Sequence, residues 1–568
     1  MANRSYLPAT VLVFTFASTL CLAESPLLQG ASAGAESTKP IPGSTQSPTA
    51  GPPAGAGEST RDPVGEAREL YSKGNFDAAI TKYKQLLGER PKSPDGYAGL
   101  IRAYLKEKKL DQAVQTADEG LSATDSPRVR VAYAEVLFRQ GSIDRAEMEW
   151  AKAINAGFPE ARAYLGLAKV RTARAMYQSA AAMAARAHDL DPNDPEIEEF
   201  WIETLPRSKK IKFLEDKLAS WKDGSDDQRQ STMKYVEYLK EQQKTGYRRC
   251  SLVNGTVPAI IPFTMLLGED TFFSGWGVPI FSNGRKSVLR LDTGAHGILL
   301  GRKAAERAGI VRVASTKVGG IGDKQASDGY IGFANSIQIG NLVFQDCPVQ
   351  VLEGRSVLGD DGLIGSDFFR DFLIDIDYSS ASLKLSALPL RPSEKAEVGS
   401  AGTAANKDGA QSAQAPTVAE QPEPVLRDAY IAPEMETFSR VFLVGGDLLV
   451  PTSIGDVSNK LFLLDTGAFN NVISPAAARE VTKVYGDSNA IVKGIRGRVN
   501  DVHGANKVFL QFGHLRQENR DMVVFDTSSL SDEIGTEVSG MLGFEMLELL
   551  DIRIDYRDAL VDFTYHPR

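Results

Sequence analysis

Val288-Leu289-Arg290-Leu291-Asp292-Thr293-Gly294-Ala295 is matched by Leu461-Phe462-Leu463-Leu464-Asp465-Thr466-Gly467-Ala468, 173 positions further along the chain. Each is an apolar run, read as a buried strand, that delivers a carboxyl group at a glycine turn. Ile337-Gln338-Ile339-Gly340 and Leu510-Gln511-Phe512-Gly513 repeat at the same offset. Gly362-Leu363-Ile364-Gly365 then matches Gly540-Met541-Leu542-Gly543, and Ile376-Asp377-Tyr378 matches Ile554-Asp555-Tyr556, both 178 positions apart. One insertion of five residues accounts for the change of offset. Four ordered landmarks at near-constant spacing mark a duplicated β-rich domain.

A second, shorter repeat precedes it. Ala79, Ala113, Ala146 and Ala180 recur at steps of 34, 33 and 34, each three positions after Phe76, Leu110, Ile143 or Tyr177. A period near 34 indicates stacked helical hairpins, in which small Ala lets two helices approach and the larger residue fills the neighbouring groove. With Gly74, Tyr83, Pro91, Ala187 and Pro192, the pattern resembles tetratricopeptide repeats over about 64–205. That resemblance implies a protein partner docked on the array, with a purely structural spacer as the other reading. The charged segment Lys209–Tyr247 is expected to be a helical cap.

The chain has 568 residues and a formal net charge of -9, and 42% of its residues are hydrophobic, enough for several cores. No clustered Lys/Arg offers a phosphate-binding face, so no nucleic-acid partner is expected. Three Cys and five His, without CxxC or HExxH, point to no metal and no cofactor. The apolar stretch Leu7–Leu22 behind Arg4 reads as a signal peptide cleaved near Ala23; it is shorter than the roughly 20 residues of a spanning helix. No stable membrane span is expected after cleavage, and the protein is expected in the periplasm or outside the cell. Retention by an uncleaved N-terminus is the alternative. Cys250 and Cys347 then remain, either paired or as two separate thiols.

These signals divide the chain into a signal peptide (1–23), a disordered Ala/Gly/Ser/Pro linker (24–63), a tetratricopeptide array with helical cap (64–249), a first β lobe (252–390), a flexible linker (391–426) and a second β lobe (427–568). The fold class expected is an all-α solenoid followed by two all-β barrels.

The duplicated half resembles the aspartic proteases, specifically retropepsin-like domains: small closed β-barrels with an Asp-Thr-Gly loop, a flap, and a strand entering an apolar-apolar-Gly turn. The resemblance implies Asp292 and Asp465 as a catalytic pair. Thr293 and Thr466 would brace the two loops, and Gly294 and Gly467 would let the backbone turn beside the carboxylates. Gly320, Ile321 and Gly322, and Gly494, Ile495 and Gly497, fall where the flaps belong. Two close carboxyls cannot both ionise in a shielded site, so they share one proton and can activate water on a peptide carbonyl. Ala295 and Ala468 follow the motifs where pepsin-like enzymes often carry a hydroxyl; the missing donor predicts work at less acidic pH, as in retroviral enzymes that share Asp-Thr-Gly-Ala. The pair is expected within one chain, although lobes from two molecules could pair instead. Other strand carboxylates (Asp375, Asp377, Asp551, Asp555) are expected to be solvated or structural, and His296 to be an ordinary loop residue. The function expected is an exported aspartic endopeptidase acting on a peptide or protein substrate; the alternative is a noncatalytic envelope scaffold built from degenerate lobes.

Overall fold

Asp62-Pro63, Ser93-Pro94, Ser126-Pro127 and Asp194-Pro195 each set a capping side chain ahead of a proline at the first helical position. Each cap accepts an otherwise orphaned amide, for example Gly96 N to Ser93 Oγ at 3.1 Å. These caps start the first helices of the first three hairpins and the helix Pro195–Thr204, whereas Ala161–Ala173 starts at Glu160 without a side-chain cap, in a computed structural model of the chain. It describes residues 10–12, 62–221, 226–245, 250–267, 273–322, 326–354, 361–392, 394, 425–486 and 491–566. The expected signal peptide and tether lie outside these residues except at 10–12 and 62–63, as does most of the 391–426 linker.

Phe76, Leu110, Ile143 and Tyr177 open the second helices of the hairpins, Phe76–Glu89, Leu110–Ala123, Ile143–Asn155 and Tyr177–Leu190. Ala79, Ala113, Ala146 and Ala180 are buried in the seams. The turn between the two helices of each hairpin is left-handed at Gly74, Lys108, Gly141 and Ala175, with φ of 76°, 57°, 74° and 54°. The geometry is thus shared between repeats where glycine is not. Beyond the hairpins, helices Arg207–Ala219 and Asp226–Thr245 close around Leu214, Tyr235, Val236 and Leu239.

Each half of the duplicated region closes into a six-stranded barrel with the same topology. The first runs Phe273–Ser282, Arg285–Asp292, Gly362–Gly365, Ile298–Gly301, Leu342–Leu352 and Ser327–Ile339, and returns to its start through Ile280 opposite Ile339. The second runs Asp447–Ile454, Val457–Leu464, Gly540–Leu542, Val472–Ile473, Leu515–Val524 and His503–Phe512, and closes through Ile454 opposite Leu510. The strands that carry the Asp-Thr-Gly loops run from a more exposed start to a buried end, where both faces are covered: Leu289, Leu463 and Leu464 are wholly buried.

A six-stranded sheet joins the barrels. Leu373–Asp377 of the first lobe pairs antiparallel with Leu550–Asp555 of the second, Ile374 opposite Ile554 and Ile376 opposite Ile552, all four buried. The repeated Ile-Asp-Tyr segments are therefore the seam. Tyr556 crosses it to bond Ser366 at 2.6 Å. Cys250 and Cys347 form a disulfide that ties the strand Ser251–Asn254 to Leu342–Leu352.

The solenoid packs on the second lobe. Arg139 pairs with Asp532 at 2.9 Å, its carbonyl accepts Glu537 N at 2.9 Å, and Thr536 Oγ1 donates to Phe138 O at 2.6 Å. Trp150 and Leu137 share one buried cluster with Leu461 and Met541. The chain is anchored as well at the start of the 391–426 segment and just beyond its end. Arg391 is buried against Asp558, and Asp428 accepts Ser179 N at 2.9 Å. Among the described residues no helix is long and apolar enough to cross a membrane.

Candidate active site

Asp292 is the last residue of its strand and Asp465 the first after its own, so each carboxyl emerges at a strand end beside the joining sheet. The structure brings the two together from opposite lobes, both fully buried and in side-chain contact. Asp292 Oδ1 accepts Gly294 N at 2.9 Å; Asp465 Oδ1 accepts Gly467 N and Ala468 N, each at 2.9 Å. Among the described residues Oδ2 of either finds no donor besides the opposite carboxyl. Two carboxylates cannot satisfy one another unless a proton lies between them, so this arrangement requires a shared proton. Burial pushes Asp292 up to about 7, against the pull of the Gly294 amide, the Asp465 hydrogen bond, Arg290 and His296. Burial raises Asp465 as well, and the charge of Asp292 raises it further.

Thr293 and Thr466 lie behind the pair and bond across the lobes, Thr293 N to Thr466 Oγ1 at 3.0 Å and Thr466 N to Thr293 Oγ1 at 2.9 Å. Gly467 has no room for a side chain: a Cβ there would lie 2.4 Å from Asp292 Cγ. Gly294 turns beside Asp292 and supplies its amide.

Gly494 and Gly497 face each other at the tip of a hairpin, with Ile495 and Arg496 between. Arg496 N donates to Ile321 O at 3.0 Å, joining that tip to Gly320, Ile321 and Gly322 of the first lobe. The tips are exchanged. Ile495 lies in a buried cluster with Ala295, Leu299 and Leu363 of the first lobe, while Ile321 lies in one with Phe442, Leu449 and Ala468 of the second. The flap candidates are therefore packed against the opposite Asp-Thr-Gly-Ala loops. Among the described residues no group of three His, Cys, Asp or Glu is placed to hold a metal ion.

Residues 278–368 and 450–546 match the aspartyl protease family. The two lobes are aspartyl protease domains. Residues 70–129 match the tetratricopeptide repeat family. A DNA damage-inducible protein 1 from Cryptococcus neoformans var. neoformans serotype D is 32% identical over 105 residues, which are 18% of this chain and 23% of that protein. The chain thus spans less than a quarter of the curated relative it matches. A retropepsin-like aspartic protease from Rickettsia conorii is 21% identical, covering 24% of this chain and 96% of that one, at a TM-score of 0.18. A thermophilic tetratricopeptide protein from Thermus thermophilus is 19% identical, covering 31% and 97%, at a TM-score of 0.26.

In the aspartyl protease lobes one expectation fails. His296 is not an ordinary loop residue: it is 6% exposed and wedged between Asp367 and Asp447. The signal available in sequence was the break in the duplication, His296 opposite Phe469, with no indication that Asp447, 151 positions away, would meet it. Asp555 is buried beside Asp558 and Arg557, a structural placement.

Proposed function

We propose that the two aspartyl protease lobes form one intramolecular endopeptidase site with Asp292 and Asp465 as its catalytic pair. The observation that carries this reading is the buried contact of the two carboxyls, one from each lobe, each held by its own loop amides. In the singly protonated pair the ionised member takes a proton from water while the protonated member polarises the peptide carbonyl. Water adds to give a tetrahedral diol, and no enzyme-bound acyl species forms. Substrate enters after the flap tips part, because Ile321 and Ile495 fill the apolar surface beside both loops. The substrate is an extended peptide or protein segment. The tetratricopeptide hairpins hold a protein partner or the substrate itself, and their fixed contacts with the second lobe, Arg139 to Asp532 among them, keep that cargo close to the site. The protein acts in the periplasm or outside the cell, a reading supported by the apolar N-terminal run and by the Cys250–Cys347 disulfide.

The test is cleavage of a diverse peptide pool by the mature protein between about pH 3 and 9, a range that brackets paired carboxylates and extends past the value of about 7 reached by Asp292. Asp292→Asn and Asp465→Asn are each expected to abolish it while remaining folded. Cleavage that survives both substitutions sinks the reading. A noncatalytic scaffold draws on the full burial of the pair beneath packed flap tips; silence at every pH together with retained capture of a protein by the hairpins would favour it.

A further inference from the structure

The duplication makes the two loops equivalent up to Ala295 and Ala468 and then breaks, with His296 facing Phe469 in the alignment of the copies. His296 Nε2 lies 3.1 Å from Asp447 Oδ1 and Nδ1 lies 3.4 Å from Asp367 Oδ2. Asp447 opens the strand Asp447–Ile454 of the second lobe. Asp367 belongs to the first lobe, where it also accepts Gly297 N at 2.7 Å. Gly446 makes the approach feasible, since a Cβ there would come within 2.8 Å of His296 Cε1.

A buried imidazole between the buried Asp447 and the half-buried Asp367 is stable as the cation, because a neutral ring would leave the Asp447 carboxylate buried without a counter-charge. Burial alone disfavours the charged ring, yet Asp447 and Asp367 outweigh it and hold His296 protonated well above the usual imidazole range. The other groups around this cluster are Glu533 beside Asp447, Tyr556 beside both carboxylates, and Arg370 near Tyr556. On the side of the catalytic pair, Asp292 feels His296 together with Arg290.

Resting on the reading of Asp292 and Asp465 as the catalytic pair, we propose that His296 is a positioning residue whose cation ties the first Asp-Thr-Gly loop to the second lobe and favours the singly ionised pair. Two consequences follow from the geometry. The contact fixes the loop that carries Asp292 against the lobe that carries Asp465, so the distance between the carboxyls depends on it. The charge also acts from one side only, since the second lobe presents apolar Phe469 at the corresponding position.

The experiment compares pH–rate profiles of the full mature protein with those of His296→Gln and His296→Lys. His296→Gln removes the charge and keeps a hydrogen-bonding group. It is expected to lower kcat more than it changes KM, and to move the acid limb upward by on the order of one pH unit, because a neighbouring cation favours the ionised carboxyl. His296→Lys, which keeps the charge, is expected to return the limb toward the wild-type position. Asp447→Asn loosens the cation while leaving the histidine in place, and is expected to shift the limb in the same direction by less. A wild-type limb in His296→Gln overturns the proposal. If the wild-type protein cleaves nothing, the catalytic reading fails on its own and takes the effect on the pair with it. The tie between lobes is then judged by stability against pH. A histidine held above its unfolded value stabilises fully below about pH 6.5 and loses that contribution as pH rises through the folded value. His296→Gln should flatten this slope, and identical slopes overturn the tie.

Discussion

Thr293 and Thr466 exchange hydrogen bonds across the lobe boundary, each hydroxyl accepting the other's amide at 3.0 and 2.9 Å. Each hydroxyl also donates onward, Thr293 Oγ1 to Leu464 O at 2.7 Å and Thr466 Oγ1 to Leu291 O at 3.1 Å. Parting the loops therefore orphans two amides and two carbonyls in a site closed to water. Thr293→Val leaves Thr466 N and Leu464 O without partners, and is expected to cost about 2–4 kcal/mol in urea unfolding. Thr293→Ser keeps the hydroxyl and is expected to stay within about 1 kcal/mol of wild type. A larger loss in Thr293→Ser than in Thr293→Val would show that the methyl group, not the hydroxyl, matters.

The burial that pushes Asp292 up to about 7 has a thermodynamic signature. An unfolded aspartate titrates near 3.9, so between about pH 4 and 7 the folded chain binds more protons than the unfolded one. Stability from this group is greatest at low pH and declines as pH rises across that window. Asp292→Asn removes the penalty. Its unfolding temperature should match wild type near pH 4 and exceed it at pH 8, by a margin equivalent to more than about 1 kcal/mol. The reverse ordering would exclude burial as the dominant influence on Asp292.

The Cys250–Cys347 bond closes a loop with a sequence separation of 97. Loop-closure entropy for that length gives about 4–5 kcal/mol. Guanidinium unfolding with and without reductant checks this. Coincident curves would mean that the reduced first lobe loses nothing when its edge strand Ser251–Asn254 is released.

In the solenoid, Gly166 lies face to face with Trp150, and a Cβ would sit 2.2 Å from the indole Cε2. Gly99 stands in the same relation to Tyr83, with a Cβ 2.2 Å from its Cζ. Gly166→Ala is expected to cost about 1–3 kcal/mol through overpacking. Because Trp150 belongs to the cluster shared with the second lobe, the loss should appear in hydrogen exchange at that interface as well as in the hairpins. Trp150→Leu in the same chain should relieve part of it.

The duplication, the two Asp-Thr-Gly loops and the 34-residue helical period were legible in the sequence because each is written locally. An apolar strand, a glycine turn and the spacing of Ala79, Ala113, Ala146 and Ala180 need no knowledge of what packs against them. Even there the left-handed turns at Lys108 and Ala175 carry no glycine to announce them. Tertiary structure alone decided that the lobes pair within one chain, since this depends on Ile374 and Ile376 finding Ile554 and Ile552 across the joining sheet. It also decided that Ile495 crosses to the first lobe, that Arg139 meets Asp532, and that His296 is buried between Asp367 and Asp447. Periodicity and turn chemistry are short-range properties of the backbone. The partner of a strand edge or of a buried charge is set by long-range closure, where many segments compete and the one that buries apolar surface without stranding a polar group prevails.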